Sequence, residues 1–442
     1  MPNPVVAIVG RPNVGKSTLF NRLLGRKAAV VHGDPGVTRD RNLAVVRWGR
    51  RSFSLVDTGG YVPTAAVGME ALVKEQAWLA IDTSSLVLLV VDGESGITPL
   101  DVEIAKLLRE KNKHSIVVVN KVDNLDREML VHEFYRLGMG QPLPVSALHG
   151  TGTGELLEKV EESLGETPPV EESSDAIRVA VIGKPNVGKS SLVNRLLHQK
   201  RMLVDEQPGT TRDSVDSLLH CDGHEFMLID TAGLRRKRSV SDKVEVYCVV
   251  RAVRSVERAN VVFVLFDASV PLTAQDIRIA ALAYRSGKAS VVVFNKWDLV
   301  KKDSRTSIEL EKLMKEQIPF LQHMPAVFVS ALTGQRVSEL PRLALSVLSE
   351  SRRELGEEEL TRALQIAVEK KKPPVSRSGH TPSIKRAFQS SVEPPTFTLM
   401  TNDARAFRKA YILYLMRCLR QRFGFDGTPI RLKLRTVIRK RG

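Results

Sequence analysis

One eight-residue phrase occurs twice in this chain, and it constrains most of what the chain can fold into. Gly10, Arg11, Pro12, Asn13, Val14, Gly15, Lys16 and Ser17 return 173 positions later as Gly183, Lys184, Pro185, Asn186, Val187, Gly188, Lys189 and Ser190. Aligned over 10–40 and 183–213, the two stretches share 19 of 31 residues; unrelated sequences of ordinary composition would share about two. The period is too long for a solenoid unit and is the size of a domain. One α/β unit is therefore expected twice.

Short β-branched runs punctuate each copy. Val5–Val9, Val87–Val91 and Ile116–Val119 are matched by Val179–Ile182, Val261–Phe266 and Val291–Phe294. Unbroken apolar runs of this length read as strands buried on both faces, and helical stretches fall between them. That pattern predicts a mostly parallel sheet with helices on both faces. The acidic, proline-bearing segment Gly165–Asp175 has no apolar period and reads as an exposed linker. The expected division is residues 1–164, a linker at 165–176, a second unit at 177–350 and a third at 351–442.

Both octapeptides fit G-x-x-x-x-G-K-[ST], each after an apolar strand and before a helical pattern (Ser17–Leu24 and Ser190–Leu197). Glycines at the first and sixth positions allow backbone shapes and close approach that a Cβ would block. Successive N–H groups and the helix N-terminus then favour bound phosphate. Lys16 and Lys189 supply a point charge to the β- and γ-phosphates, and the Ser17 and Ser190 hydroxyls are Mg²⁺ ligands. Thr18 and Ser191 complete the loops. Thr38 and Thr211, again in register, are expected to reach the metal only when a γ-phosphate is present, as sensors. Asp57, Thr58, Gly59 and Gly60 follow one apolar strand (Phe53–Val56), and Asp230, Thr231, Ala232 and Gly233 follow another (Phe226–Ile229). There the carboxylate holds the metal, and the glycine N–H can bind the γ-phosphate.

Asn120, Lys121, Val122 and Asp123, with Asn295, Lys296, Trp297 and Asp298, supply the base site. Their carboxylates can accept two hydrogen bonds from guanine N1–H and N2–H₂, where adenine offers no donor. The Asn amide can bridge purine and phosphate loop, and the Lys stem can cover the ring face. Ser146 with Ala147, and Ser330 with Ala331, sit where a backbone N–H would meet guanine O6. A metabolic kinase would lack these tetrads and would need a site for a second substrate.

The formal charge is +16, and residues 351–442 carry 21 basic against 8 acidic side chains, so the first 350 residues are close to neutral. A basic segment of that kind faces a polyanion. Its expected order is helix (Leu360–Lys371), strand (Ser383–Ser390), strand (Thr396–Thr401), helix (Ala404–Arg422) and strand (Ile430–Val437). In the last strand Arg431, Lys433 and Arg435 alternate with Leu432, Leu434 and Thr436. One face can pack while the other meets phosphate.

Two such phosphate-and-guanine units in tandem, followed by a basic domain, resemble the EngA family, also called Der, over nearly the whole length. The resemblance implies two Era-like GTPase domains and a C-terminal α+β domain of KH-like type. It also implies nucleotide-dependent rearrangement of the three domains and a role in assembling the large (50S) ribosomal subunit, with ribosomal RNA as partner. Gly424 and Gly427 make the third unit's one Gly-x-x-Gly, but between a helix and the final strand, so a C-cap and turn explain it better than an RNA clamp. Recognition of folded RNA by shape and charge is expected.

Many GTPases place a water-orienting Gln after the Asp-x-x-Gly motif. Tyr61 and Leu234 stand there instead, so slow intrinsic hydrolysis is expected in both units. Related GTPases hold K⁺ with an Asn at the position of Asn13 and Asn186. A GTPase of tRNA modification or membrane transport is the alternative, though no catalytic or transmembrane part is visible. The longest apolar runs fall far short of the ~18 residues of a membrane helix. The start of the chain does not read as a secretory signal, and three scattered cysteines fit a reducing cytosol. The expectation is a cytoplasmic monomer.

Overall fold

The structure is a computed structural model that describes residues 4–25, 43–49, 51–57, 84–123, 131–164, 176–197, 216–231, 245–301, 303, 305–373, 382–404 and 407–436. Contacts divide the chain into two units, one built on the first sheet and the other holding the second sheet with the C-terminal domain.

The first sheet contains Val5–Val9 (β1), Leu43–Trp48 (β2), Arg51–Asp57 (β3), Leu86–Asp92 (β4), Ser115–Asn120 (β5) and Leu143–Val145 (β6), in the order β2-β3-β1-β4-β5-β6. Only the β2–β3 hairpin is antiparallel; β1 pairs in parallel with both β3 and β4. Every residue of β1 and β4 is buried. Because side chains alternate across a strand, Val6, Ile8, Leu86 and Leu88 join one core, whereas Ala7, Val9, Val87 and Leu89 join another on the opposite face. Lys16–Gly25 (α1) covers the first face through Leu19, Phe20 and Leu23. Pro99–Glu110 (α2) covers the second through Ile104, Ala105 and Leu108. Thr153–Ser163 (α3) joins the α1 side.

The second sheet repeats the arrangement. Ile177–Gly183 (β7), Ser217–Cys221 (β8), His224–Leu228 (β9), Val261–Asp267 (β10), Ala289–Asn295 (β11) and Ala326–Phe328 (β12) lie in the order β12-β11-β10-β7-β9-β8. The helices that follow in the chain are Lys189–Leu197 (α4), Glu245–Arg258 (α5), Ala274–Arg285 (α6), Thr306–Gln317 (α7) and Leu340–Arg352 (α8), of which α5 up to Glu257 is grouped with the first unit. Both sheets are therefore mostly parallel, with helices on both faces. The strand expected over Phe226–Ile229 ends at Leu228, so Asp230 lies beyond it in a turn, with φ 61°.

The C-terminal domain consists of Glu357–Lys370 (α9), Ile384–Ser391 (β13), Thr396–Thr401 (β14), Lys409–Phe423 (α10) and Arg431–Thr436 (β15). Its sheet runs β13-β14-β15, with β14 and β15 parallel. Leu360, Leu364, Phe397, Leu399, Leu415 and Leu419 fill its core. The second helix starts at Lys409 rather than Ala404, behind an N-cap at Arg408. Gly424 adopts φ 82°, and its N–H returns to the Arg420 carbonyl at 2.8 Å, so it caps α10.

Within the second unit, Gly427 joins this domain to the second sheet. Its N–H donates to the His323 carbonyl (2.7 Å) and its carbonyl accepts from the Ser290 N–H (2.6 Å). A Cβ there would lie 2.1 Å from Val347 Cγ1. Arg431 departs from its expected place on a phosphate-facing row, since its Nη2 donates to the Arg285 carbonyl at 2.8 Å. Lys433 and Arg435 remain exposed, while Leu432 and Leu434 pack on the core.

Candidate functional site

The first glycine loop leaves β1 and enters α1. Gly10, Asn13 and Gly15 have φ of 151°, 66° and 90°. A Cβ on Gly15 would meet Asn120 Nδ2 at 2.2 Å, and one on Gly10 would meet the Val90 carbonyl oxygen at 2.2 Å. The loop therefore lies against the β4 backbone and the Asn120 side chain more closely than a residue with a Cβ permits. Val14 is fully buried and anchors the loop, whereas Asn13, Ser17 and Thr18 are exposed and Pro12 is half-buried. Lys16 Nζ donates to the carbonyls of Gly10 and Arg11, both at 2.7 Å. Burial pushes the lysine pKa down to about 8; the Asp57 charge opposes that shift and the Arg11 charge adds to it.

The second loop has the same form. Asn186 and Gly188 have φ of 60° and 97°, and Lys189 Nζ donates to the Gly183 and Lys184 carbonyls at 2.8 and 2.7 Å. Val187 is fully buried, and Pro185, Asn186 and Ser191 are exposed. The second residue of each loop is held by the acid that caps the next helix. Arg11 Nε lies 3.5 Å from Asp101 Oδ2, and Lys184 Nζ lies 2.9 Å from Asp276 Oδ2.

The two halves differ at the expected metal position. Asp57, fully buried at the end of β3, accepts a hydrogen bond from Ser17 Oγ at 2.6 Å. A hydroxyl and a carboxylate thus converge at the loop's exit, a donor set suited to a hard cation such as Mg²⁺. In the second half the Asp230 N–H donates to Asp216 Oδ1 (2.9 Å), and Thr231 Oγ1 lies 2.9 Å from Ser217 Oγ. Ser190 begins α4. Thr38, Thr58, Gly59, Gly60, Tyr61, Thr211, Ala232, Gly233 and Leu234 lie outside the described residues, as do Arg39, Arg212 and the run 235–238.

The base site is built on the ends of β5 and β11. Asn120 Nδ2 donates to the Val14 carbonyl (2.8 Å), while its Oδ1 accepts from the Ala147 N–H (2.9 Å). Asn295 does the same between Val187 (2.9 Å) and Ala331 (3.0 Å). One amide therefore ties the phosphate loop to the Ser-Ala loop in each half. Ser146 and Ser330, both fully buried, accept from the N–H of His149 and Thr333 and so shape those loops. Lys121 and Lys296 take φ of 68° and 63°, and their ammonium groups reach Asp92 (2.7 Å) and Asp267 (2.6 Å). Burial works against both carboxylates' charge. Hydrogen bonds from Lys121 and Lys296 and from nearby N–H groups outweigh it and hold both pKa values below the usual carboxylate range. Asp123 is exposed and Asp298 half-buried. Val122 is buried, and Trp297 packs 4.7 Å from the Phe328 ring centroid. A cavity of about 480 Å³ opens here in the second half, lined by Gly188, Asn295, Asp298, Leu299, Ala331 and Leu332, among others.

Sequence reasoning missed several residues that shape these sites: Asp92, Asp101 and Arg22 in the first half, and Asp267, Asp276 and Arg195 in the second. Each returns at the equivalent place of the other copy, and that recurrence was the available signal.

A family model described as a 50S ribosome-binding GTPase matches residues 5–121 and 178–296. A second, described as the KH-domain-like C-terminal part of EngA bacterial GTPase enzymes, matches residues 355–435. The chain is 46% identical to a GTPase Der of Moorella thermoacetica, over 98% of this chain and 99% of that one. It is 46% identical to a GTPase Der of Halothermothrix orenii over the same shares, 98% and 99%. With a GTPase Der of Pelotomaculum thermopropionicum the identity is 45%, over 98% of this chain and 99% of the other.

Proposed function

Since the chain belongs to the Der family of GTPases, also called EngA, we propose that it is a two-site GTP switch acting in assembly of the large ribosomal subunit. It is a GTP-binding and GTP-hydrolysing enzyme, of a family that uses guanine nucleotide and, as a rule, Mg²⁺. The observation that carries the two-site reading is the asparagine bridge, built alike at Asn120 and Asn295.

In this reading Lys16 and Lys189 exchange loop carbonyls for β- and γ-phosphate oxygens. Asp123 and Asp298 accept from guanine N1–H and N2–H₂. Ser17 with Asp57, and Ser190 with Asp230, hold the magnesium ion, which when bound neutralises charge on the phosphate oxygens. Thr38 and Thr211 sense the γ-phosphate. Tyr61 and Leu234, standing where a water-orienting Gln is common, leave intrinsic hydrolysis slow. Asn13 and Asn186, exposed at the loop tips, hold a potassium ion there; equal hydrolysis rates in KCl and NaCl at one ionic strength would remove that role.

The working modules are residues 1–164, 177–350 and 351–442, joined by the acidic linker at 165–176, in a cytoplasmic monomer. Exposed Lys433 and Arg435 on β15, with the basic excess of the last module, support contact with ribosomal RNA by charge and shape. No helix among the described residues is long and apolar enough to cross a membrane. The test is co-sedimentation with 50S particles in GDP and in a non-hydrolysable GTP analogue. Lys16→Ala and Lys189→Ala should each change the nucleotide dependence of binding; if neither does, the switch reading is wrong.

A further inference from the structure

Each phosphate helix carries an arginine that grips the loop beside the base. Arg22, in the last turn of α1, donates from Nε to the Ala147 carbonyl at 2.8 Å and from Nη2 to the Leu148 carbonyl. Arg195, in the last turn of α4, donates from Nε to the Ala331 carbonyl at 3.0 Å and from Nη2 to the Leu332 carbonyl. The planar guanidinium fork spans two consecutive carbonyls and so fixes a peptide plane as well as a distance. The same grip appears in both copies, each time from an Asn-Arg-Leu-Leu stretch onto a Ser-Ala-Leu loop.

The fixed plane determines which donor remains for the base. The Ala147 and Ala331 N–H groups are taken by Asn120 and Asn295. The next N–H groups along, those of Leu148 and Leu332, have no hydrogen-bond partner among the described residues. In a trans peptide the N–H of residue i+1 points opposite to the C=O of residue i. By holding the Ala147 and Ala331 carbonyls, the arginines set the direction of the Leu148 and Leu332 N–H groups. Both leucine side chains stand 66% and 73% exposed rather than packed, so their apolar parts do not hold these peptides in place. Leu332 lines the cavity at the second base site.

We propose that Arg22 and Arg195 are positioning residues for purine recognition, orienting the Leu148 and Leu332 N–H groups toward the oxygen at purine position 6. Neither arginine touches the base. A 6-amino purine would present a donor to a donor, which adds a second rejection of adenine to the one made by Asp123 and Asp298. This inference rests on the guanine-pocket reading above.

The experiment measures affinities of the full chain for GDP, IDP and 6-thio-GDP, in the wild type, in R22A/R195A and in R22K/R195K. IDP keeps the 6-oxygen and loses the 2-amino group that the aspartates read. 6-Thio-GDP keeps the 2-amino group and N1–H but replaces the oxygen with a poorer acceptor. The wild type should prefer GDP to both analogues. In R22A/R195A the GDP affinity should fall about tenfold, the value of one good hydrogen bond. The GDP-to-6-thio-GDP ratio should approach one, while the GDP-to-IDP ratio stays as in the wild type. R22K/R195K should recover part of the lost ratio, because an ammonium group can bind one carbonyl but not fork across two. A folded R22A/R195A with unchanged ratios would overturn the proposal, and so would equal collapse of both ratios, the mark of general loosening. A wild type that does not prefer GDP to IDP would instead overturn the guanine-pocket reading, and this inference with it.

Discussion

At the scale of single residues, Lys16 carries a consequence that titration can read. Burial brings its pKa down to about 8 in the empty loop, and bound phosphate favours the charged form. Below that value the lysine is already protonated, and affinity for GDP should be flat. Above it, binding must take up a proton, so affinity should fall by up to about tenfold per pH unit until the pKa of the bound state is passed. Calorimetry at pH 7 and pH 9, in buffers of different ionisation enthalpy, would show proton uptake only at the higher value. A pH-independent affinity across that range would contradict it. Glycines 10 and 15, Lys16, Ser17 and the asparagines were legible in the sequence because their spacing is set by the phosphate they serve. Arg22 was not, since on its own copy it reads as an ordinary charged helix position. Its role depends on carbonyls 125 and 126 residues away, which no local pattern encodes.

At the scale of elements, α2 and α6 begin with the same device. Thr98 and Asp101, and Thr273 and Asp276, form capping boxes in which each side chain serves the other's backbone N–H. The two acids also hold Arg11 and Lys184 of the phosphate loops. Thr98→Ala or Thr273→Ala should cost about 1 kcal/mol of stability, measurable by denaturant melts, with little effect on nucleotide affinity. Asp101→Asn or Asp276→Asn should weaken nucleotide binding as well, because the loop's second residue loses its counter-charge. Equal effects from threonine and aspartate changes would remove that distinction. The central strands were plain in the sequence, since burial on both faces leaves no polar position to break the run. The edge pieces β2, β6, β8 and β12 were not foreseen. β6 and β12 are only three residues long, and β8 mixes buried with half-buried positions, so none gives the unbroken apolar signal.

At the scale of the whole molecule, the joint between the second sheet and the C-terminal domain runs through backbone groups of Gly427. Gly427→Ala would place a methyl group 2.1 Å from Val347 Cγ1 at φ 74°. It should lower the melting temperature by several degrees and make limited proteolysis cut between the two domains. An unshifted melt would show that the joint gives way freely. His323 lies at the same joint. Burial, with the Arg420 charge beside it, brings its pKa down to about 4 from 6.5, while Asp426 opposes the shift. Between those values the unfolded chain binds a proton that the folded one refuses, so stability should fall as pH drops from about 6.5 toward 4. His323→Gln should flatten that slope in melts across the range; an identical slope would assign it to other groups. The third domain's element order was readable from alternation and helical period. Its attachment was not, because the main-chain hydrogen bonds of Gly427 leave no residue signature beyond one glycine and Arg431 reads as one more basic position of the last strand. Translation proceeds from the amino end, so Gly427 emerges among the final segments. A chain cut short before Gly427 would lack the backbone groups that pair with His323 and Ser290 and that lie against Val347 of α8.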